Sequence, residues 1–217
     1  MNKELKELIQ SDIKRVYDLP LSFKDRFFFP LQMKYLVLWR KTAYYRKKGG
    51  LLGKLYALRL EKMTERTQIL LPPETTVGPG LYIGHLGRLL IHPEAVFGRN
   101  VNIATGVTVG QANRGSRKGV PTIGDDVWIG TNAVIVGNVK IGNDVMIAPC
   151  AYVNMDVPDH SIVIGNPAAA FMSITTTSFS AENDVVVKIP SACRPVFCSF
   201  PATNGTECPQ EFMSGKV

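Results

Sequence analysis

Between residues 77 and 157 an aliphatic side chain returns every six positions. From 123 to 153 the series runs Ile123, Ile129, Ile135, Ile141, Ile147 and Val153 without a miss. Four places after each stands a small or branched residue: Val127, Ala133, Val139, Val145, Ala151 and Val157. The same phase holds upstream at Ile91, Phe97, Ile103 and Val109, with Ala95, Val101 and Val107 four places on. Val77 and Ile83 form an earlier block. The spacing widens to 8 between Ile83 and Ile91, and to 14 between Val109 and Ile123. A period of six fits neither an amphipathic helix nor an alternating strand, so it reads as an internal repeat.

The repeat predicts a parallel β-helix with three short strands per coil. Each word supplies one side of a triangular prism, its aliphatic pointing to the axis and the residue four on filling the remaining interior. The Gly that follows many of the aliphatics turns the corner, where a Cβ is costly if φ is positive. One word cannot bury its inward face alone, so coils stack. Twelve words, at three per coil, make four coils. Words 83, 103, 129 and 147 then share one face, and their third residues, His85, Thr105, Thr131 and Pro149, line one edge. A β-sandwich of short strands competes with this reading, but gives no reason for a six-residue register.

The preceding segment reads as helices. Leu5, Leu8, Ile9, Ile13 and Val16 mark one face of a first helix, which Leu19–Pro20 ends. A second spans about 31–48, with Tyr35, Leu36, Leu38, Trp39, Tyr44 and Tyr45 among basic residues, and Gly49–Gly50 stops it. A third covers about 51–65 on Leu51, Leu52, Leu55, Leu58 and Leu60. Pro72–Pro73 marks the entry to the repeat. After Met172 the register is lost, and the tail carries Cys193, Cys198 and Cys208 among prolines. The organisation is therefore a helical segment over 1–70, a β-helix over 71–170 and an irregular tail over 171–217.

Charge changes the picture only at the front. The net charge is +7, and residues 1–66 hold 16 Lys and Arg against 7 Asp and Glu, a balance of +9. Basic residues interleaved with aromatics fit an oligomer-facing helical cap, an anionic membrane surface met through residues 31–48, or nucleic acid. No nucleic-acid motif accompanies the charge. No apolar run reaches the ~20 residues of a membrane-spanning helix, and no signal sequence opens the chain, so the expectation is a cytoplasmic protein. The four cysteines do not resemble a disulfide framework.

Candidate chemistry gathers at the two insertions. His85 sits at the corner of the word with the shorter insertion, outside the prism. His92 is also a corner residue, and His160 lies beyond the last regular word. A spacing of 7 between His85 and His92, with no third His in the next coil, argues against a metal site. The longer insertion, residues 111–121, is basic through Arg114, Arg117 and Lys118 and pliable through Gly115 and Gly119. Such a loop suits an anionic ligand such as a phosphorylated cofactor, or packs on a neighbouring subunit.

Gly80-Leu-Tyr-Ile-Gly-His85, Gly106-Val-Thr-Val-Gly-Gln111, Gly119-Val-Pro-Thr-Ile-Gly124 and Val163-Ile-Gly-Asn-Pro-Ala168 resemble the hexapeptide acyltransferases of the serine acetyltransferase branch. They are also similar to the O-acetyltransferases of bacterial surface-polysaccharide biosynthesis. The resemblance covers about residues 70–170. It implies a mainly β fold, the left-handed parallel β-helix, assembled as a homotrimer with acetyl-CoA between adjacent prisms and no metal. It implies His85 as general base, and Gly110, Gln111, Thr131 and Pro149, with loop residues Arg114, Arg117 and Lys118, toward CoA. Two positions differ from the serine acetyltransferase pattern. Gly84 stands where those enzymes place an Asp, and Val120 where they place a second His. Both groups help hold the amino-acid substrate, so the small-molecule acceptor stays open between L-serine and a sugar hydroxyl. A non-catalytic trimeric scaffold is the remaining alternative.

Overall fold

The computed structural model describes residues 2–17 and 28–172. The Leu19–Pro20 helix end and the tail beyond Met172 lie outside the described residues. The repeat folds as a three-faced parallel β-helix. The first face stacks β1 (Ile69–Leu70), β4 (Leu89–Ile91), β7 (Thr108–Gly110), β10 (Val134–Val136) and β13 (Tyr152–Val153). The second stacks β2 (Thr76–Val77), β5 (Val96–Phe97), β8 (Thr122–Ile123) and β11 (Lys140–Ile141). The third stacks β3 (Tyr82–Ile83), β6 (Asn102–Ile103), β9 (Trp128–Ile129), β12 (Met146–Ile147) and β14 (Ser161–Ile164). β15 (Ala169–Met172) closes that face as an antiparallel strand.

Register follows the six-residue words. Ile83 pairs with Ile103, Ile103 with Ile129, and Ile129 with Ile147. The inward side chains from Ile83 onward are buried, as are the small or branched residues four places after Ile91 and later words, while Val77 in the first coil is half-buried. Each large aliphatic so buried contributes about 1.5–3 kcal/mol. The stack also extends past the twelve words, from Ile69 on the first face to Val163 on the third.

The corners differ from the sequence reading. Where a Gly after the aliphatic is required, it is by close approach and not by a positive φ; Gly84 and Gly110 have nothing nearer than 3.5 Å to an added Cβ. A Cβ on Gly124 would lie 2.6 Å from the Gly142 carbonyl oxygen, and one on Gly130 would lie 2.6 Å from the Pro149 nitrogen. The left-handed conformation falls two residues later, on Asn100, Asp126, Asn132, Asp144, Cys150 and His160. Asn and Asp tolerate it through local hydrogen bonding and hold four of these corners, Gly80 and Gly106 take the same conformation at two others, and Cys150 and His160 adopt it as well.

Three helices precede the prism: α1 (Lys3–Lys14), α2 (Leu31–Lys48) and α3 (Leu51–Thr67). α1 buries Leu5, Ile9 and Ile13, whereas Val16 is exposed. α2 buries Met33, Tyr35, Leu36 and Trp39. Trp39 Nε1 donates to the Pro72 carbonyl at 3.1 Å, and Tyr35 Oη bonds the Leu71 backbone at 3.4 Å. Tyr35 and Trp39 are therefore core residues, which corrects the picture of α2 presenting them to a lipid surface. Asp12 and Arg40 form a buried ion pair at 2.8 Å that ties α1 and α2 to the first coil. α3 is the second correction. Of its five expected core leucines only Leu60 is buried. α3 instead packs through small positions, since a Cβ on Gly53 would lie 2.8 Å from the Tyr45 carbonyl oxygen. Its other leucines face outward.

Candidate active site

The insertion after β3 leaves the prism at the edge between the third and first faces. It is anchored at several points. Gly87 N–H donates to the Thr67 carbonyl at 3.3 Å, and Gly106 N–H donates to the Arg88 carbonyl at 2.8 Å. Thr105 Oγ1 reaches the Leu86 carbonyl at 3.5 Å. His85 stands exposed at the start of this insertion. Among the described residues its ring has no hydrogen-bond partner, unlike the other two histidines. His92 Nδ1 accepts from the Glu94 N–H at 3.2 Å, and His160 Nδ1 lies 2.7 Å from Asp144 Oδ2. Both of those rings serve their own corners. His85 is thus the histidine with neither ring nitrogen engaged, and it stands at the insertion rather than at a regular corner.

Below His85, Thr105, Thr131 and Pro149 occupy the same corner in successive coils. The coils are joined there by Asn132 N–H to the Thr105 carbonyl at 3.0 Å and Cys150 N–H to the Thr131 carbonyl at 2.9 Å. Adjacent strands lie about 4.8 Å apart, so His85 to Pro149 spans about 14 Å along the edge. Corners 84–88, 104–106, 130–132, 148–150 and 165–167 contain no Asp or Glu. The acidic corners lie elsewhere, with Asp125, Asp126, Asp144 and Asp159 along the edge between the second and third faces. Among the described residues no cluster of His, Cys, Asp and Glu is arranged to hold a metal ion.

Sequence reasoning missed Gln32. From the first turn of α2 its Nε2 donates to the Gly84 carbonyl at 3.4 Å, tying the helical segment to the backbone beside His85. Nothing in the residues marks this contact across 52 positions of chain. Gly84 itself has no positive φ, and a Cβ there would meet only the Tyr82 ring at 3.5–3.8 Å.

The second insertion leaves from the opposite side of the first face. Gly110 ends β7, and its carbonyl accepts from Gly137 N–H at 3.2 Å. The loop closes on itself through Ala112 and Gly119, which exchange backbone hydrogen bonds of 3.0 Å. Gln111, Arg114 and Lys118 are exposed. Arg117 is held differently, with Nη1 3.1 Å from Asp156 Oδ1. The Lys140 backbone N–H and then the Arg117 guanidinium hold the Asp156 carboxyl below the ordinary carboxylate value. The candidate CoA contacts thus fall into two groups on opposite edges of one face. Thr131 and Pro149 lie with His85, while Gly110, Gln111 and the loop cations lie across from them.

Residues 121–154 match the family model described as bacterial transferase hexapeptide (six repeats). Serine acetyltransferase 4 of Arabidopsis thaliana is 37% identical over 134 residues, which is 60% of this chain and 38% of that protein. The chain therefore spans well under two thirds of that relative's length. The serine acetyltransferase of Neisseria gonorrhoeae in complex with serine superposes with a TM-score of 0.65 at 26% identity, over 78% of this chain and 70% of that one. A serine acetyltransferase complex with CoA gives 0.64 at 21% identity, over 78% and 71%. By its repeat and its backbone, the chain is a left-handed parallel β-helix built of hexapeptide repeats, and it is similar to the serine acetyltransferases.

Proposed function

We propose that the protein is an acetyl-CoA-dependent O-acetyltransferase in which His85 is the general base. The observation that carries this is the unpartnered His85 imidazole at the head of a stacked edge, on a scaffold similar to serine acetyltransferases. His85 as neutral imidazole takes the proton of the acceptor hydroxyl while that oxygen attacks the thioester carbonyl. The C–S bond breaks, and the imidazolium returns its proton to the departing CoA sulfur. No acyl-enzyme is required.

A homotrimer completes the site in this reading. The His85 edge of one copy faces the loop edge of the next, bringing Thr131 and Pro149 toward Gly110, Gln111, Arg114, Arg117 and Lys118 for CoA. The outward positions support such contacts. Leu70, Leu90, Val134 and Tyr152 project from the first face, and Tyr82, Trp128, Met146 and Ile162 from the third. These two faces flank the His85 edge. We place the reaction in the cytoplasm, where acetyl-CoA is available.

L-Serine is the acceptor that the likeness suggests. A sugar hydroxyl is the second reading, and a specific observation favours it. An amino acid brings an ammonium group that needs an anion, and this edge offers no carboxylate at any of its five corners. Gly84 and Val120 supply neither an acid nor an imidazole. The test is CoA release from acetyl-CoA with a panel of serine and sugar acceptors. Turnover concentrated on sugars is expected. Turnover confined to serine restores the first reading, and no release with any acceptor refutes both.

A further inference from the structure

The outward face of α3 carries an apolar stripe that nothing among the described residues covers. Leu51 is 82% exposed, Leu52 55%, Leu55 45% and Leu58 60%. Leu51, Leu55 and Leu58 follow helical spacing on one side, opposite buried Leu60 and Gly53. The stripe begins at the tip of the α2–α3 hairpin, where residues 46–52 are all exposed. An apolar groove of ≈ 650 Å³ continues from Leu58 to Leu70 and Pro72, with Arg46, Lys54 and Glu61 among its lining.

Charge selects the occupant. From residue 26 to residue 60 the chain contains no Asp or Glu. Arg46, Lys47, Lys48, Lys54 and Arg59 surround the leucines and are all exposed. Arg46 meets Glu74 at 2.9 Å, and Lys48 lies over the Tyr44 ring at 4.9 Å. A second copy pairing tip to tip would set this cationic patch against itself, since a two-fold interface apposes like with like. A leucine stripe rimmed by cations instead matches the boundary between acyl chains and anionic headgroups.

We propose that the tip of the α2–α3 hairpin docks on an anionic phospholipid bilayer surface. Leu51, Leu52, Leu55 and Leu58 enter the interface, and the flanking cations face the phosphates. Docking is peripheral, because among the described residues no helix is long and apolar enough to cross a membrane. The surface involved is the last turn of α2 and the front of α3, not the buried aromatics of α2. Docking stands apart from the catalytic proposal, since binding to vesicles is measured without acetyl-CoA or acceptor.

The test is flotation of the full chain with vesicles of about 30% anionic phospholipid, beside wholly zwitterionic vesicles, at low and high salt. Binding is expected on anionic vesicles and weakens as salt rises. The variant Leu51→Ser/Leu55→Ser/Leu58→Ser touches only exposed side chains, so it folds, and it lowers partitioning by at least about tenfold. Lys47→Glu/Lys48→Glu lowers it by about fivefold or more per cation removed. Absence of anionic-vesicle binding at low salt overturns the proposal. So does equal binding by the wild type and the triple-leucine variant. If the leucine substitutions instead split a larger assembly in sedimentation while vesicle binding is absent, the stripe is an interface between copies and the lipid assignment fails.

Discussion

Removing the Asp12 carboxylate tests whether the helical segment is locked to the β-helix by one buried ion pair. Arg40 Nε and Nη2 donate to Asp12 at 2.8 and 3.0 Å, and the backbone N–H groups of Gly80 and Leu81 donate at 3.0 and 2.9 Å. Arg40 continues to the carbonyls of Val77 at 2.8 Å and Gly78 at 2.6 Å. The side chains are 2% and 5% exposed. In Asp12→Ala the guanidinium keeps two carbonyl acceptors but loses its anion, and breaking a buried pair from one side costs about 3–5 kcal/mol. The Leu81 N–H also loses its acceptor, at about 1 kcal/mol or more, while Gly80 N–H retains Ser11 Oγ at 3.1 Å. Because these contributions overlap, the expected loss is about 4 kcal/mol, a large part of the ~5–15 kcal/mol of a typical domain. The chain has two tryptophans. In a Trp128→Phe background, urea unfolding followed by fluorescence therefore reads Trp39, which is buried in α2. Asp12→Leu/Arg40→Met removes the uncompensated charge and recovers part of the loss, while the Leu81 N–H and the Val77 and Gly78 carbonyls stay unpaired. A single-variant cost below about 1 kcal/mol, or a double variant no better than the single, refutes the reasoning.

Four further outcomes are expected. His85→Gln lowers CoA release by roughly 10²–10⁴-fold with little change in CoA binding, as measured by turnover beside equilibrium binding. Gly84→Asp folds with a stability change under about 1 kcal/mol, because its Cβ meets only the Tyr82 ring, and it raises serine turnover relative to sugar turnover in the same panel. Asp125 and Asp156 are held below their ordinary value, first by the Arg99 and Lys140 backbone N–H groups respectively and then by the Arg99 and Arg117 side chains. Their stabilisation is present above the unfolded carboxylate value of about 3.9 and is lost as pH falls through the lowered folded values; Asp156→Asn therefore flattens the acid limb of urea midpoint against pH. Sedimentation gives a trimer at micromolar concentration, and an active monomer sinks the shared-site reading.

The fold was legible because the six-residue words leave little freedom. Once each word makes one side, every third word must stack, and Ile83, Ile103, Ile129 and Ile147 pair accordingly. What the words do not encode is how the corners are made. The Gly after many of the aliphatics suggested a backbone reason, whereas at Gly124 and Gly130 the constraint is the next coil lying 2.6 Å from a missing Cβ. That contact joins residues about 20 positions apart and has no local signature. The helices lie where the sequence puts them, but the buried face of α3 was not legible, for a related reason. Leucines at helical spacing on α3 announce a shared face, but not what covers it, and Gly53 and Thr67 on the opposite side make the actual contact. Likewise nothing local marks Asp12 and Arg40 as partners, because only the fold shows that they are sealed together.

The candidate site follows from where the repeat is broken. A perfect prism presents identical edges and cannot single out a reacting position. The two insertions remove that equivalence at two corners of the first face. The short one lifts His85 off a corner that elsewhere holds Thr105, Thr131 and Pro149, and the long one sets cations on the opposite corner. Both departures are countable in the sequence, so the place of His85 on its edge follows from the residues alone. The partner of its neighbour does not, because Gln32 reaches Gly84 from a helix 52 residues away. In the proposed function, His85 is a base whose neighbouring backbone is steadied from the helical segment, which links that segment to turnover. If α2 is loosened, as Asp12→Ala is expected to do, Gln32 releases the Gly84 carbonyl and His85 loses its fixed position. Gln32→Ala then lowers turnover with the urea midpoint unchanged, while Gln32→Glu, which cannot donate to a carbonyl when ionised, lowers it equally. Full activity in both variants would show that the insertion's own bonds to Thr67 and Gly106 suffice to hold His85.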